Sequence, residues 1–357
     1  MSTETISPAV SPLPAVKSRR EVVGKILNVM LGRFGIIIAL GILCAVLTIH
    51  SENALGRQVF LTDRNLLQIA LQASINIIIA VGMTFVITTG GIDLSVGSIV
   101  AFAGIFVASI AKEADVEGAN QFIKILGSLP GLLIIGVMIG AFCGLINGGL
   151  ITLVRLPPFI VTLGTMSIFR GATMIFTEGR PIYGLPNQFI NFFSGYVGQT
   201  ETFRGIPIPA IIALIIALIF GFVLNRTRLG EYTVAIGGNA ETARLSGVRV
   251  QRYTTLVYVI CGALCGVAAV ILTARVSAAE AIAGQGYELD AIAATVIGGT
   301  SLSGGEGTIF GTVIGGLLMS VVRNGFNLFN VQVYWQQVII GLVIVLAVTL
   351  DRLKKQQ

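Results

Sequence analysis

From Leu31 almost to Leu350 the chain alternates long unbroken apolar runs with short polar gaps, and the runs repeat at lengths of roughly 20 residues, enough for a helix to cross a hydrocarbon core of about 30 Å. The pattern predicts spans at 31–49, 66–89, 94–111, 130–152, 157–177, 209–224, 254–273, 288–299, 306–322 and 335–350. The expected fold class is therefore an all-α polytopic membrane protein with about ten transmembrane helices. The segments 209–224 and 288–299 are short for a full crossing, so each either extends into its flanks or is a broken helix lining a cavity. Residues 1–30 read as a disordered cytoplasmic tail: Met1 to Arg20 is rich in Ser, Thr and Pro and lacks the apolar core of a secretory signal. The expected organisation is this tail, a transmembrane domain over 31–350 containing a cytoplasmic loop at 225–253, and a C-terminal tail at 351–357.

Composition agrees with the pattern. Of 357 residues 54% are apolar and 11% charged, with a mean hydropathy of +0.90, whereas a soluble domain carries about a quarter charged residues. Basic residues gather before the first span and in the 225–253 loop, which holds Arg226, Arg228, Arg244, Arg249 and Arg252. The positive-inside bias then places both termini in the cytoplasm. Cys44, Cys143, Cys261 and Cys265 fall inside apolar runs, and the single histidine, His50, edges the first span. With no clustered ligands, neither a metal site nor a cofactor is expected, and the cysteines read as small packing residues. Gly136, Gly140, Gly144 and Gly148 form a small-residue stripe that allows helices to approach closely.

One sequence pattern occurs twice. Gly90-Gly91-Ile92-Asp93-Leu94-Ser95-Val96-Gly97 and Gly298-Gly299-Thr300-Ser301-Leu302-Ser303-Gly304-Gly305 share GGxxLSxG. Each copy ends one apolar segment and opens another without a charged loop, and two readings stay open. In one the glycines interrupt helices at membrane depth, where backbone and hydroxyl groups of Ser95, Thr300, Ser301 and Ser303 meet a polar solute; in the other they are tight cytoplasmic turns. Asp93 stands out because an ionised carboxylate at depth is costly; it either serves a pathway or caps the helix starting near Leu94. Gln72 and Asn76 sit one helical turn apart, with Ser74 between them, and face a bundle interior or a hydrophilic path. Arg170, accompanied by Thr165, either lines a path or extends its stem toward the outer surface.

Within Asn225 to Tyr253, Asn239 is placed to cap a short helix with Glu241 in its first turn and Gly247 as its stop. Nothing in the chain can hold the phosphates of ATP: the only Gly-Lys is Gly24-Lys25, and Arg19 stands where a Walker A loop needs its first glycine. The chain is thus not expected to be an enzyme.

Four stretches carry a resemblance: Gly91 to Ser98; Gly237-Gly238-Asn239 through Ala243-Arg244-Leu245-Ser246-Gly247; Gly286-Tyr287-Glu288-Leu289-Asp290-Ala291-Ile292-Ala293-Ala294; and Gly298 to Gly305. In that order, over nearly the whole chain from about Asn65, the sequence resembles the permease family of bacterial ATP-binding-cassette importers for monosaccharides, most nearly the ribose permeases. The resemblance implies a fold similar to the vitamin B12 permease type and a bacterial inner-membrane location. Its implied partners are a second copy of the chain, a cytoplasmic ATPase with two nucleotide-binding domains, a periplasmic sugar-binding protein and the lipid bilayer, with no nucleic acid. Glu241-Thr242-Ala243-Arg244-Leu245-Ser246-Gly247 resembles the Glu-Ala-Ala-x-x-x-Gly coupling motif of importer permeases, with Thr242 replacing the first Ala, and so implies ATPase docking by Asn239, Glu241, Thr242, Ala243, Arg244, Leu245 and Gly247. The rival readings are an ion-coupled secondary sugar transporter, for which Asp93 is the acidic candidate, and a passive channel.

Overall fold

The computed structural model describes residues 19–56, 58–201 and 204–355. The chain runs α1 (Arg19–Leu55), α2 (Asp63–Thr88), α3 (Val96–Ala114), α4 (Gln121–Leu126), α5 (Leu129–Leu153), α6 (Pro158–Thr177), α7 (Asn187–Ser194), α8 (Ile208–Arg226), α9 (Arg228–Gly238), α10 (Ala240–Leu245), α11 (Val250–Val276), α12 (Tyr287–Ile297), α13 (Ile309–Leu328) and α14 (Val333–Lys355). Among the described residues, eight of these helices are long and apolar enough to cross a membrane, and α12 is not one of them. Two-residue strands β1 (Ile182–Tyr183) and β4 (Ala278–Ala279) pair antiparallel, as do β2 (Tyr196–Val197) and β3 (Ile206–Pro207); they fasten loops and leave the helical class unchanged.

Local sequence sets many helix ends. Ser128 caps α5 by accepting the N–H of Gly131, Thr308 caps α13 by accepting that of Gly311, and Pro158 and Pro209 stand at first-turn positions of α6 and α8 where a missing N–H costs nothing. The short segment expected at 209–224 extends to a 19-residue helix, whereas the one expected at 288–299 stays an 11-residue helix, α12, too short to cross by itself. The span expected at 306–322 continues through Arg323 to Leu328. At the ends, α1 begins at Arg19, inside the stretch read as a tail, and α14 reaches Lys355; residues 1–18, the rest of the expected tail, lie outside the described residues.

The core is built around α2. Its side chains from Ile75 to Ile87 are buried on every face, so α2 is a central post instead of an amphipathic surface helix, and α11, α13, α8 and α12 pack around it. The most extensive helix pairing is α5 with α11, and the glycine stripe lets the two backbones approach. A Cβ on Gly136 would lie 2.9 Å from the carbonyl oxygen of Gly266; Gly140 faces Gly262 and Gly144 faces Tyr258 in the same backbone-to-backbone manner. Cys143, Cys261 and Cys265 are buried at this seam as free thiols.

Both GGxxLSxG copies lie at one end of the molecule and touch. Gly305 N donates to the carbonyl of Thr88 at 2.9 Å, and a Cβ on Gly304 would stand 3.0 Å from Gly90 N. Gly237, closing α9, packs against both Thr88 and Gly305. The positive φ of Gly90, Gly299, Gly304 and Gly305 suits glycine and disfavours side chains. The 225–253 loop holds two helices, α9 and α10, instead of the single short one expected, and the end of α9 packs against both turns.

Candidate functional site

Asp93 is wholly buried at the break between α2 and α3. Its Oδ1 accepts from Ser95 N at 2.9 Å and from Ser95 Oγ at 2.6 Å. This is a local Asx turn just ahead of α3, which begins at Val96, two residues later than the expected start; Ser95 holds the N-cap position and Asp93 bonds no N–H of the first turn. The second oxygen faces a residue the sequence reading did not single out: Asn147 of α5 donates through Nδ2 to Asp93 Oδ2 at 3.4 Å and to Ser95 Oγ at 2.8 Å. Asn147 Oδ1 in turn accepts from Thr165 Oγ1 on α6 at 2.7 Å. Thr162 and Tyr258 both donate to the carbonyl of Ile92, at 3.3 and 3.4 Å.

Three of the expected pathway residues, Asp93, Ser95 and Thr165, therefore belong to one network that ties the α2–α3 break to α5, α6 and α11. Its depth follows from helix geometry: at roughly 1.5 Å per residue, Asn147 lies about 9 Å back from the end of α5, Thr165 about 10 Å into α6 and Tyr258 about 12 Å into α11. The first GGxxLSxG copy thus carries its polar residues well inside the helix ends. Gly91 is required there, since a Cβ would meet Tyr258 Oη at 2.5 Å.

The second copy behaves differently. Thr300 and Ser301 are buried but Ser303 is exposed, Ser303 N donates to Ser301 Oγ at 3.2 Å, and Thr300 Oγ1 has no hydrogen-bond partner among the described residues. These three belong to the turn that packs against the end of α9.

Gln72 lines the space between α2, α11, α12 and α13, and Asn76 is buried one turn further along α2. The same face carries Thr84, hydrogen-bonded to Thr312 at 2.8 Å, and Asn65, which exchanges two amide bonds with Asn324 at 2.8 and 3.0 Å. Ser74 turns back to the carbonyl of Leu71. Arg170 does not extend to the surface: its Nη1 donates to the carbonyls of Ala281 and Ala283, at 2.5 and 2.8 Å, and holds the loop that leads into α12.

Asp93 is not the only buried acid, contrary to the sequence reading. Asp290 in the first turn of α12 is 1% exposed and pairs with Arg323 of α13, whose Nη2 is 2.8 Å from Oδ1 and 2.7 Å from Oδ2. The signal was present in the motif ending at Ala294, but no spacing connects it to an arginine in another helix.

At the α10 end the coupling candidates form one capped element. Asn239 Oδ1 accepts from Thr242 N at 2.9 Å, Gly247 stops the helix at φ +86°, and Gly247 N donates to the carbonyl of Arg244. Glu241 and Arg244 pair at 2.6 Å on the surface, Ala243 is buried, and Leu245 is 79% exposed. This short helix, with an exposed leucine at its tip, follows directly on α9, whose closing glycines pack against both glycine turns.

The family described as the branched-chain amino acid transport system permease component matches residues 65–348. The chain is 41% identical to the D-allose transport system permease protein of Escherichia coli K12, over 90% of this chain and 92% of the other. It is 44% identical to the ribose import permease protein of Bacillus subtilis 168, over 83% and 87%. It is 38% identical to the galactose/methyl galactoside import permease protein of Salmonella typhimurium LT2, over 90% and 94%. No solved structure matches. Apolar helices of membrane-crossing length, a family match over most of the chain and three relatives aligned nearly end to end agree: the chain belongs to the family of multi-pass inner-membrane transport permeases that includes these sugar import permeases.

Proposed function

We propose that the chain is the membrane-spanning subunit of an ATP-binding-cassette importer and forms the translocation pathway for a monosaccharide, with a pentose such as ribose favoured. In this reading a periplasmic binding protein delivers the sugar, a separate ATPase with two nucleotide-binding domains drives the cycle, two copies of the chain pair in the inner membrane, and both termini are cytoplasmic. The vitamin B12 permease-type fold belongs to the same reading. The names of the relatives support the substrate class.

The observation that carries the reading is the placement of α10. A partner can bias a transporter only through contacts that differ between its states. Here an exposed capped helix follows directly on α9, whose last residues Gly237 and Gly238 pack against Thr88, Gly304 and Gly305, so a push on α10 reaches both breaks through the end of α9. Asn239, Glu241, Thr242, Ala243, Arg244, Leu245 and Gly247 are the docking element, and Gln72, Asn76, Asp93, Ser95, Thr165, Arg170, Thr300, Ser301 and Ser303 are the pathway candidates.

Reconstitution with a candidate ATPase and a candidate sugar-binding protein tests the reading. Sugar uptake into proteoliposomes is expected to require ATP, both partners and the permease together. The buried Asp290–Arg323 pair favours the rival of ion coupling, which predicts uptake without the ATPase that collapses when a protonophore or sodium ionophore is added. A reporter fused after Lys355 is expected to be cytoplasmic; a reporter found outside overturns the orientation.

A further inference from the structure

Asn65, Gln68, Gln72 and Asn76 recur along α2 at three- and four-residue spacing, one stripe of a 3.6-residue helix. At the end of the molecule away from α10 this stripe opens into a cleft of about 600 Å³ between α2, α11, α12 and α13. That volume lies within the roughly 300–1,000 Å³ of ordinary small-molecule sites. Asn65 is committed to Asn324, but Gln68 is exposed, Gln72 is half-buried, and neither side chain makes a hydrogen bond among the described residues. Across the cleft stand Arg275, which forms no ion pair among the described residues, Asn327, and Arg323, whose charge Asp290 already balances. These amides and guanidinium groups line an open cleft at the helix ends, where they are free to hydrogen-bond a polar solute.

The lining also has an apolar side. Leu272, Val276 and Tyr287 border this cleft, and the same three border a second cavity of about 170 Å³ beside Gly104 and Thr273. Tyr287 opens α12 directly after Gly284 and Gly286, both at positive φ, so it stands on a glycine-flanked corner where the two spaces meet. Unpaired amides facing an aromatic and aliphatic wall match a sugar, whose hydroxyls need donors and acceptors in several directions and whose C–H face is apolar.

We propose that this cleft is the receiving site for a neutral monosaccharide, with Gln68, Gln72, Arg275 and Asn327 binding hydroxyls and Tyr287 with Leu272 and Val276 taking the C–H face. The proposal rests on the sugar-import reading above and adds the residues and the entry point. The smaller cavity past Tyr287 is the next station along the path.

The test uses the full chain in cells that also make its binding protein and ATPase. Gln72→Cys in a Cys44→Ser background, where the remaining cysteines are buried, is expected to react from outside with a membrane-impermeant methanethiosulfonate. Whichever of D-ribose, D-allose and D-galactose the wild type takes up is expected to slow that reaction. Gln72→Leu and Tyr287→Leu are each expected to raise the half-saturation concentration for uptake about tenfold at unchanged membrane insertion, as loss of one well-placed contact would. Tyr287→Phe is expected to stay near wild type. No labelling, labelling that the transported sugar does not slow, or normal uptake by the Leu variants overturns the cleft while leaving sugar import standing. A wild type that takes up none of the three sugars, with labelling slowed by none, overturns the sugar-import reading and the cleft's occupant together.

Discussion

Asn147 on α5 donates to Ser95 Oγ at 2.8 Å across the break that follows α2, and its amide oxygen accepts from Thr165 at 2.7 Å, so a single side chain holds three segments in register. It reaches them because the glycine stripe draws α5 onto α11 and brings Asn147 alongside the buried loop. Asn147→Leu leaves the hydroxyls of Ser95 and Thr165 and one carboxylate oxygen without this partner. We expect a destabilisation of about 1–3 kcal/mol, read as a lower unfolding temperature in detergent. An unchanged midpoint would show that the amide is dispensable to the network.

Asp93→Asn separates hydrogen bonding at the turn from charge. The remaining amide oxygen can still accept from Ser95 N and Oγ, but the new amino group faces the amino group of Asn147. The variant is expected to insert at wild-type levels and to transport more slowly. Normal uptake at normal expression removes Asp93 from the pathway and leaves it a turn residue.

Arg323→Met leaves Asp290 buried without its counter-charge, and we expect a loss of up to roughly 3 kcal/mol, moderated because Arg323 is partly open to the cleft. Asp290→Leu combined with Arg323→Met is expected to recover much of that stability, since neither charge is then stranded. Thermal unfolding of the two single variants and the double variant gives the coupling; additive losses would show that the pair does not act as a unit.

Gly247→Pro forces φ to about −65° at a residue that holds +86°, and removes the N–H that bonds to the carbonyl of Arg244. The spans are not touched. We expect a chain that inserts and assembles but loses uptake and sugar-stimulated ATP hydrolysis together. Glu241→Lys, which replaces an exposed ion pair with like charge, is expected to give a milder version. Full uptake and stimulation in the proline variant would make α10 an inert connector.

Much was legible along the chain. Apolar runs of spanning length, glycine at the stripe and the turns, and Asn239 with Gly247 around a short helix are local signals, because span length, close approach and capping each depend on residues within a few positions. Span limits were less legible where a charge was neutralised from afar. Arg323 reads as the end of an apolar run, yet α13 continues past it because Asp290 of α12 meets the guanidinium. Asn147 reads as one polar residue among glycines, and its partners lie on segments distant in sequence.

The sequence by itself determined that this is a multi-pass helical membrane protein with two related glycine turns and a capped exposed handle, since hydropathy and backbone preferences are properties of short stretches. Only the tertiary structure decided that the two turns touch each other and α9, that Asp93 lies deep in a polar network joining the α2–α3 break to α5, α6 and α11, and that the polar stripe of α2 opens into a cleft. Those relationships come from helices packing at distances that small side chains permit, and such pairings have no period along the chain.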